Sequence, residues 1–319
     1  MAALAGERQS LVAWHRTTKM MHRTLPLRMN GRTSQLASFP PRSLGTSNAS
    51  GGVQLLPEER RLRIEALLPH ALAAGELRLA YQPVLDCVSR ETVGAEALLR
   101  WTNKELGDVA PAEFIPLAEK TGLLKDIGDW VLRRACVQAA RWRRTIAPRL
   151  VVSVNVSPVQ FDESLVRHIM TCLERTGLEA SALQLEITET MLMPDSASVA
   201  ETATALSDLG VKLAIDDFGT GYASLSYLKR LPLHNLKIDR LFVADLPGSH
   251  DSIAITRALV EMAHALNMTV TAEGVETAEQ ATALWALGCD TLQGYLFGRA
   301  TSPTEFTRAL TQKRADLAQ

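Results

Sequence analysis

The chain has 319 residues, 46% hydrophobic and 22% charged, with a formal net charge of −1. That composition is ordinary for a soluble globular protein, and no run approaches the ~18–20 uncharged apolar residues of a membrane span. The scattered cysteines Cys87, Cys136, Cys172 and Cys289 form no CxxC pair, which argues against structural zinc and for a reducing, cytoplasmic location.

In chain order, the first 52 residues carry Arg8, Arg16, Lys19, Arg23, Arg28, Arg32 and Arg42 against Glu7 alone. The net −1 is thus a +6 segment followed by a −7 body. Glu7, Arg8, His15 and Arg16 interrupt any apolar centre of a secretory signal. Rich in Ser, Thr, Pro and Gly and without periodicity, residues 1–56 read as a basic, disordered tail. A nucleic-acid or membrane-surface arm is the alternative, and the composition superficially resembles a transit peptide.

From Pro57 a helical face of Leu62, Ala66, Leu67, His70 and Ala71 is expected, ending near Gly75. Eight strand-like runs follow: Leu77–Val84, Thr92–Leu99, Leu150–Val156, Leu183–Thr188, Lys212–Asp217, Asn235–Asp239, Thr269–Val275 and Thr291–Phe297. Helical patterns at Asp126–Arg143, Glu163–Thr176, Ser196–Leu209, Ser252–Leu266 and Glu279–Leu287 separate most of them. Strand–helix alternation with eight strands predicts a closed α/β barrel of the (β/α)8, TIM-like type. Residues 85–91 are too few for a parallel crossover, so the first strand should run antiparallel to the second. The domain is expected over 57–312, with a C-terminal tail at 313–319.

Strand ends in such a barrel line the active site. Those positions hold Glu96, Asn155, Glu186, Asp216, Asp217, Lys237 with Asp239, Glu273 and Gln293. Buried carboxylates are costly unless something binds their charge, and oxygen donors without histidine suit hard divalent cations. Asp239 and Glu276 can alternatively be orienting or capping groups, and His234 is expected to be solvent-exposed. No Ser–His–Asp or Cys–His set is evident.

The motifs GAEALLRW around Glu96–Arg100, YQP (Tyr81–Pro83), PAEFIPLAE (Pro111–Glu119), NVSPVQF (Asn155–Phe161), EITET (Glu186–Thr190), DDFGTGYASL (Asp216–Leu225), LKIDR (Leu236–Arg240), TAEGVET (Thr271–Thr277) and QGYLFGR (Gln293–Arg299) follow one another in the chain. Together they resemble the EAL-domain cyclic di-GMP phosphodiesterases. The resemblance implies a barrel with one antiparallel strand and hydrolysis of 3′,5′-cyclic di-GMP to linear 5′-pGpG with Mg²⁺ or Mn²⁺, two per site, inhibited by Ca²⁺.

By the same resemblance, Glu96, Asn155, Glu186 and Asp216 match ligands of a first metal, and Asp216 with Asp217 the group serving a second. Glu273 matches the general base or the holder of metal-bound water, and Lys237 the catalytic lysine. Gln293 and Glu276 match water-orienting positions, and Gln82, Leu98 and Arg100 substrate contacts. The turn Gly219–Tyr222 matches a loop that couples dimerisation to metal binding, anchored by Glu189. A homodimer, no DNA partner and an unidentified signalling partner are the implied associations. A catalytically silent cyclic di-GMP receptor is the alternative function. Ala300 stands where a proline often follows the arginine.

Overall fold

The computed structural model describes residues 56–192, 197–219 and 228–317. The expected tail at 1–52 and the turn residues Thr220, Gly221 and Tyr222 lie outside the described residues.

The first described helix, α1 (Pro57–Ala71), buries Ile64, Leu68 and Ala71. The expected face was misphased: Leu62, Ala66 and His70 are exposed. Two apolar stripes compete in this helix, and the i, i+4, i+7 stripe from Ile64 is the one that is buried. Arg60 ties α1 onward, donating to Glu113 Oε1 at 2.7 Å and to the carbonyls of Leu106 and Asp108.

Strands β1 (Leu77–Asp86) and β2 (Thr92–Asn103) form the predicted antiparallel hairpin, with Gln82 opposite Glu96. A short β3 (Gly107–Val109), not anticipated from the sequence, extends β2 outside the barrel. Helices α2 (Pro111–Lys120) and α3 (Leu124–Thr145) lead to β4 (Val151–Val156). The alternation then continues through α4 (Glu163–Thr176), β5 (Leu183–Thr188), α5 (Ala197–Asp208), β6 (Lys212–Phe218) and β7 (Asn235–Ile238). A one-turn α6 (Arg240–Val243), α7 (His250–Ala265), β8 (Thr269–Ala272), α8 (Ala278–Ala286), β9 (Thr291–Gln293) and α9 (Pro303–Leu317) complete it. The last helix runs past the domain boundary expected at 312.

The sheet order β1-β9-β8-β7-β6-β5-β4-β2, closed by β1–β2 pairing, is an eight-stranded barrel. β2 and β4 through β9 run parallel; β1 is antiparallel to both neighbours. Val154, Leu185, Leu213, Leu236 and Val270 alternate with the side chains that face the barrel interior, so they point to the surrounding helices, and they are almost wholly buried, because parallel strands wrapped by helices have no wet face. Closure places the C-terminal ends of seven parallel strands around one mouth.

Candidate active site

Glu96, Leu98 and Arg100 alternate along β2 and so share one side of the strand. Glu96 is buried and accepts hydrogen bonds from Asn155 Nδ2 (2.7 Å) and Gln293 Nε2 (2.5 Å), which come from β4 and β9. Burial opposes its ionisation, but Lys237 and the two amide donors outweigh burial and hold its pKa below the usual value.

The centre of the mouth is Lys237, 2% exposed, projecting from β7. Its Nζ lies 2.7 Å from Glu186 Oε2 on β5, 3.0 Å from Asp216 Oδ1 on β6, and 2.6 Å from Glu273 Oε1 just beyond β8. The last contact is an ion pair without hydrogen-bond alignment. Burial works against the ammonium, but Glu186, Glu273, Glu96 and Asp216 together raise its pKa well above the ordinary lysine value. One ammonium cannot satisfy them all. Burial first, then the neighbouring acids, push Glu186 well above the carboxylate range despite Lys237. Glu273 is pushed up to about 8, by burial and then by Asp216 and Glu96 against the opposing pull of Lys237.

Adjacent side chains on a strand point to opposite faces, so Asp216 and Asp217 should not both face the mouth. A bulge solves this. The β6–β7 register shifts between Ile215 and Phe218, and Asp217 adopts the left-handed region at φ 54°. Asp216, Asp217 and Glu273 consequently each offer one oxygen within 4.8 Å of the others. Aspartate tolerates that conformation better than most residues, though at a cost of order 1 kcal/mol.

Charge and unpartnered atoms test whether this donor set suits a cation. If all ionised, Glu96, Glu186, Asp216, Asp217 and Glu273 would set five carboxylates against Lys237 and leave four negative charges uncompensated, and burial with this mutual repulsion raises the pKa of Glu186, Asp217 and Glu273. Gln293 Oε1 is buried with no hydrogen-bond partner. The donors are all oxygens, as Mg²⁺ and Mn²⁺ prefer. The residues fit a hard divalent cation.

Around this cluster, Gln82 Nε2 donates to the Gly298 carbonyl (3.3 Å), and Arg100 is half-buried with Nη1 donating to the Leu99 carbonyl (2.8 Å). Leu98 is half-buried beside them. Glu189 is buried, and its Oε2 accepts from Gly219 N at 3.0 Å, tying the end of β5 to the turn after Asp217. Glu276 is exposed, and its backbone N–H donates to Gln280 Oε1 at 2.8 Å. Glu276 lies in the turn between β8 and α8. His234 is half-buried, not solvent-exposed; its Nδ1 accepts from Leu213 N (3.3 Å), and burial lowers its pKa. Asp239 caps α6 by accepting from Leu241 N at 2.7 Å.

Sequence reasoning passed over Gly274 and Gly294. A Cβ on Gly294 would lie 2.0 Å from the Val275 carbonyl oxygen, and one on Gly274, at φ +67°, 2.3 Å from Arg240 Cβ. Gly294 lets the segments carrying Glu273 and Gln293 touch, and Gly274 lets the segment carrying Glu273 lie against Arg240. Their position directly after those two polar residues was the available signal.

A mostly parallel eight-stranded barrel with an oxygen-rich, anionic mouth defines a (β/α)8-type protein whose site lies at the C-terminal strand ends. The chain belongs to the EAL domain family, whose model matches residues 65–300. It is 43% identical over 254 residues to the bifunctional diguanylate cyclase/cyclic di-GMP phosphodiesterase MucR of Pseudomonas aeruginosa, covering 79% of this chain and 36% of that protein. It is 39% identical over 290 residues to the cyclic di-GMP phosphodiesterase NbdA of the same organism, covering 90% and 37%. The chain thus spans about a third of the length of these curated relatives. Among solved structures, the PaMucR phosphodiesterase in a c-di-GMP complex superposes with a TM-score of 0.73 at 43% identity, covering 76% of this chain and 99% of that one. Among the described residues, no helix is long and apolar enough to cross a membrane.

Proposed function

We propose that this protein hydrolyses 3′,5′-cyclic di-GMP to linear 5′-pGpG in a metal-dependent reaction at the barrel mouth. The observation that carries the reading is the excess of buried carboxylates around Lys237. The names of the relatives and the c-di-GMP complex of the similar structure support the substrate. The four negative charges left over when all five carboxylates ionise equal the charge of two divalent cations, whose binding would favour that ionised state. Glu96, Asn155, Glu186 and Asp216 would hold one, and Asp216 with Asp217 the other. Two Mg²⁺ or Mn²⁺ ions bound there supply neutralisation of the anionic phosphodiester and activation of water for in-line attack.

The chain's own groups do the rest. Glu273 accepts the proton that the attacking water gives up, and Lys237 holds Glu186, Asp216 and Glu273 in place while offsetting charge on the phosphoryl oxygens. Gln293 orients Glu96 through Nε2 and turns its free Oε1 to the site. Arg100 offers its planar fork to a phosphate, while Leu98 and Gln82 shape the mouth beside the substrate. The protein is read as a cytoplasmic homodimer that lowers the second messenger, answering to a signalling partner.

Incubation with cyclic di-GMP and Mn²⁺, followed by chromatography, tests this. Linear dinucleotide is the expected product; substrate retained intact on the protein would replace the enzyme reading with that of a receptor. Excess Ca²⁺ against fixed Mg²⁺ should inhibit, because its longer bonds and looser geometry misplace the reacting groups. Activity indifferent to calcium would count against a tight two-cation site.

A further inference from the structure

The solvent face of α3 holds cations that the fold leaves without anions. Trp130, Arg133, Arg134, Val137, Arg141 and Arg144 fall within one arc of this helix, opposite the buried stripe of Ile127, Val131, Ala135 and Ala139. The four arginines are exposed, and Val137 is 56% exposed. Several other arginines are matched to acids, among them Arg60 with Glu113, Arg61 with Glu58, Arg167 with Glu163, and Arg143 on the same helix with Glu179. Among the described residues none of the four makes an ion pair. Arg134 lies over the Trp130 ring at 5.6 Å, and Arg144 reaches the Thr176 carbonyl at 3.4 Å. Asp126 is the acid in this arc, and Asp129 at its edge faces His168. Like charges three or four residues apart destabilise an isolated helix by tenths of a kcal/mol. The arrangement therefore costs stability unless an anionic surface meets it, and it stands out on a body of charge −7.

We propose that this face of α3 docks on an anionic phospholipid surface. The charge is complementary, and the interleaved Trp130 and Val137 are side chains that settle at the headgroup boundary beside arginines. At 22 residues, α3 is about 33 Å long, a rod able to lie along a bilayer. It returns from the mouth end of β2 to the start of β4, so its outer face is the side wall of the barrel. Docking there leaves Glu96 and Lys237 open to substrate. A single-stranded nucleic acid fits less well, because stacking needs a free aromatic face and Arg134 covers that of Trp130.

The test is co-sedimentation of the full chain with phosphatidylcholine vesicles containing phosphatidylglycerol, against phosphatidylcholine alone. Binding should need the anionic lipid and fall with added salt. The combined Arg133→Gln, Arg141→Gln and Arg144→Gln variant should bind about 100-fold more weakly, or ~3 kcal/mol at about 1 kcal/mol per basic side chain. It should keep its circular dichroism and its hydrolysis in solution. Residues 1–52 are present in both proteins, so the difference reports α3 alone. If the triple variant misfolds, Val137→Asp provides the same readout with one surface change. Equal binding to both vesicles, undiminished binding by a folded variant, or preferential capture by single-stranded RNA would each overturn the assignment.

Discussion

Single residues in this mouth are legible as chemistry because a buried charge must be answered. Glu96 and Asp216 meet different partners: Glu96 two amide donors, Asp216 the Lys237 ammonium. Replacing either by alanine should abolish metal-dependent hydrolysis while leaving the fold intact, as read by product chromatography beside circular dichroism. A folded variant with near-native turnover would remove that residue from the site. Asp217 offers the opposite balance. Partial burial and the charges of Asp216 and Asp239 raise its pKa, so its ionised form is disfavoured in the folded protein. Asp217→Asn keeps a side chain that tolerates the left-handed backbone and removes the repelling charge. The metal-free variant should melt at a higher temperature than the native protein and hydrolyse substrate more slowly. A lower melting temperature in the presence of a chelator would show that the repulsion is not what Asp217 contributes.

At the scale of elements, the apolar runs disclosed the strands, and the acids at their ends disclosed the mouth. What stayed hidden is what breaks a period. Neither the bulge that turns both Asp216 and Asp217 inward nor the choice between two stripes of α1 follows from alternation, because each is decided by neighbours distant in sequence. Gly294 is such a neighbour effect. Val275 N donates to the Gln293 carbonyl and Leu296 N to the Val275 carbonyl, so the segments after β8 and β9 are laced together at Gly294. Gly294→Ala drives a methyl into Val275 backbone atoms at 2.0 and 2.3 Å and cannot be relieved by a rotamer change. A loss of about 1–3 kcal/mol is expected, with reduced turnover as Glu273 and Gln293 separate; an unchanged denaturation midpoint would refute the contact. A second element-level case is Asp162, which caps α4 through Ser164 N (2.8 Å) and meets Lys125 Nζ at 2.7 Å. Lys125 first, then Ser164, lower its pKa to about 2. A depressed folded pKa contributes stability that is present above the unfolded value, about 4, and lost as pH falls toward about 2. Asp162→Asn should flatten this part of the acid denaturation curve, and an unchanged slope between those limits would exclude it.

For the molecule as a whole, the hairpin inferred from the shortness of residues 85–91 is what lets the barrel close, since β1 pairs antiparallel with both β2 and β9. The three-residue β3 and the one-turn α6 were too short to leave a periodic trace. Among the described residues the first packed element is α1, whose Ile64, Leu68 and Ala71 are buried and whose Arg60 is bound to Glu113. The side chains of the candidate site all come from residues 82–293, and the strands of the barrel that carries them lie between Leu77 and Gln293. A chain starting at Gly52 should therefore keep the thermal stability of the full protein and turn over cyclic di-GMP within about tenfold of it, ~1.4 kcal/mol in barrier terms. The basic composition of residues 1–52 supports a role in charge-driven association, which would appear as a salt-sensitive difference in binding to anionic surfaces and not in chemistry. Parallel melting curves and initial rates at saturating Mn²⁺ decide the matter. A truncated protein that unfolds, or whose rate falls by more than tenfold, would make those residues part of the working domain.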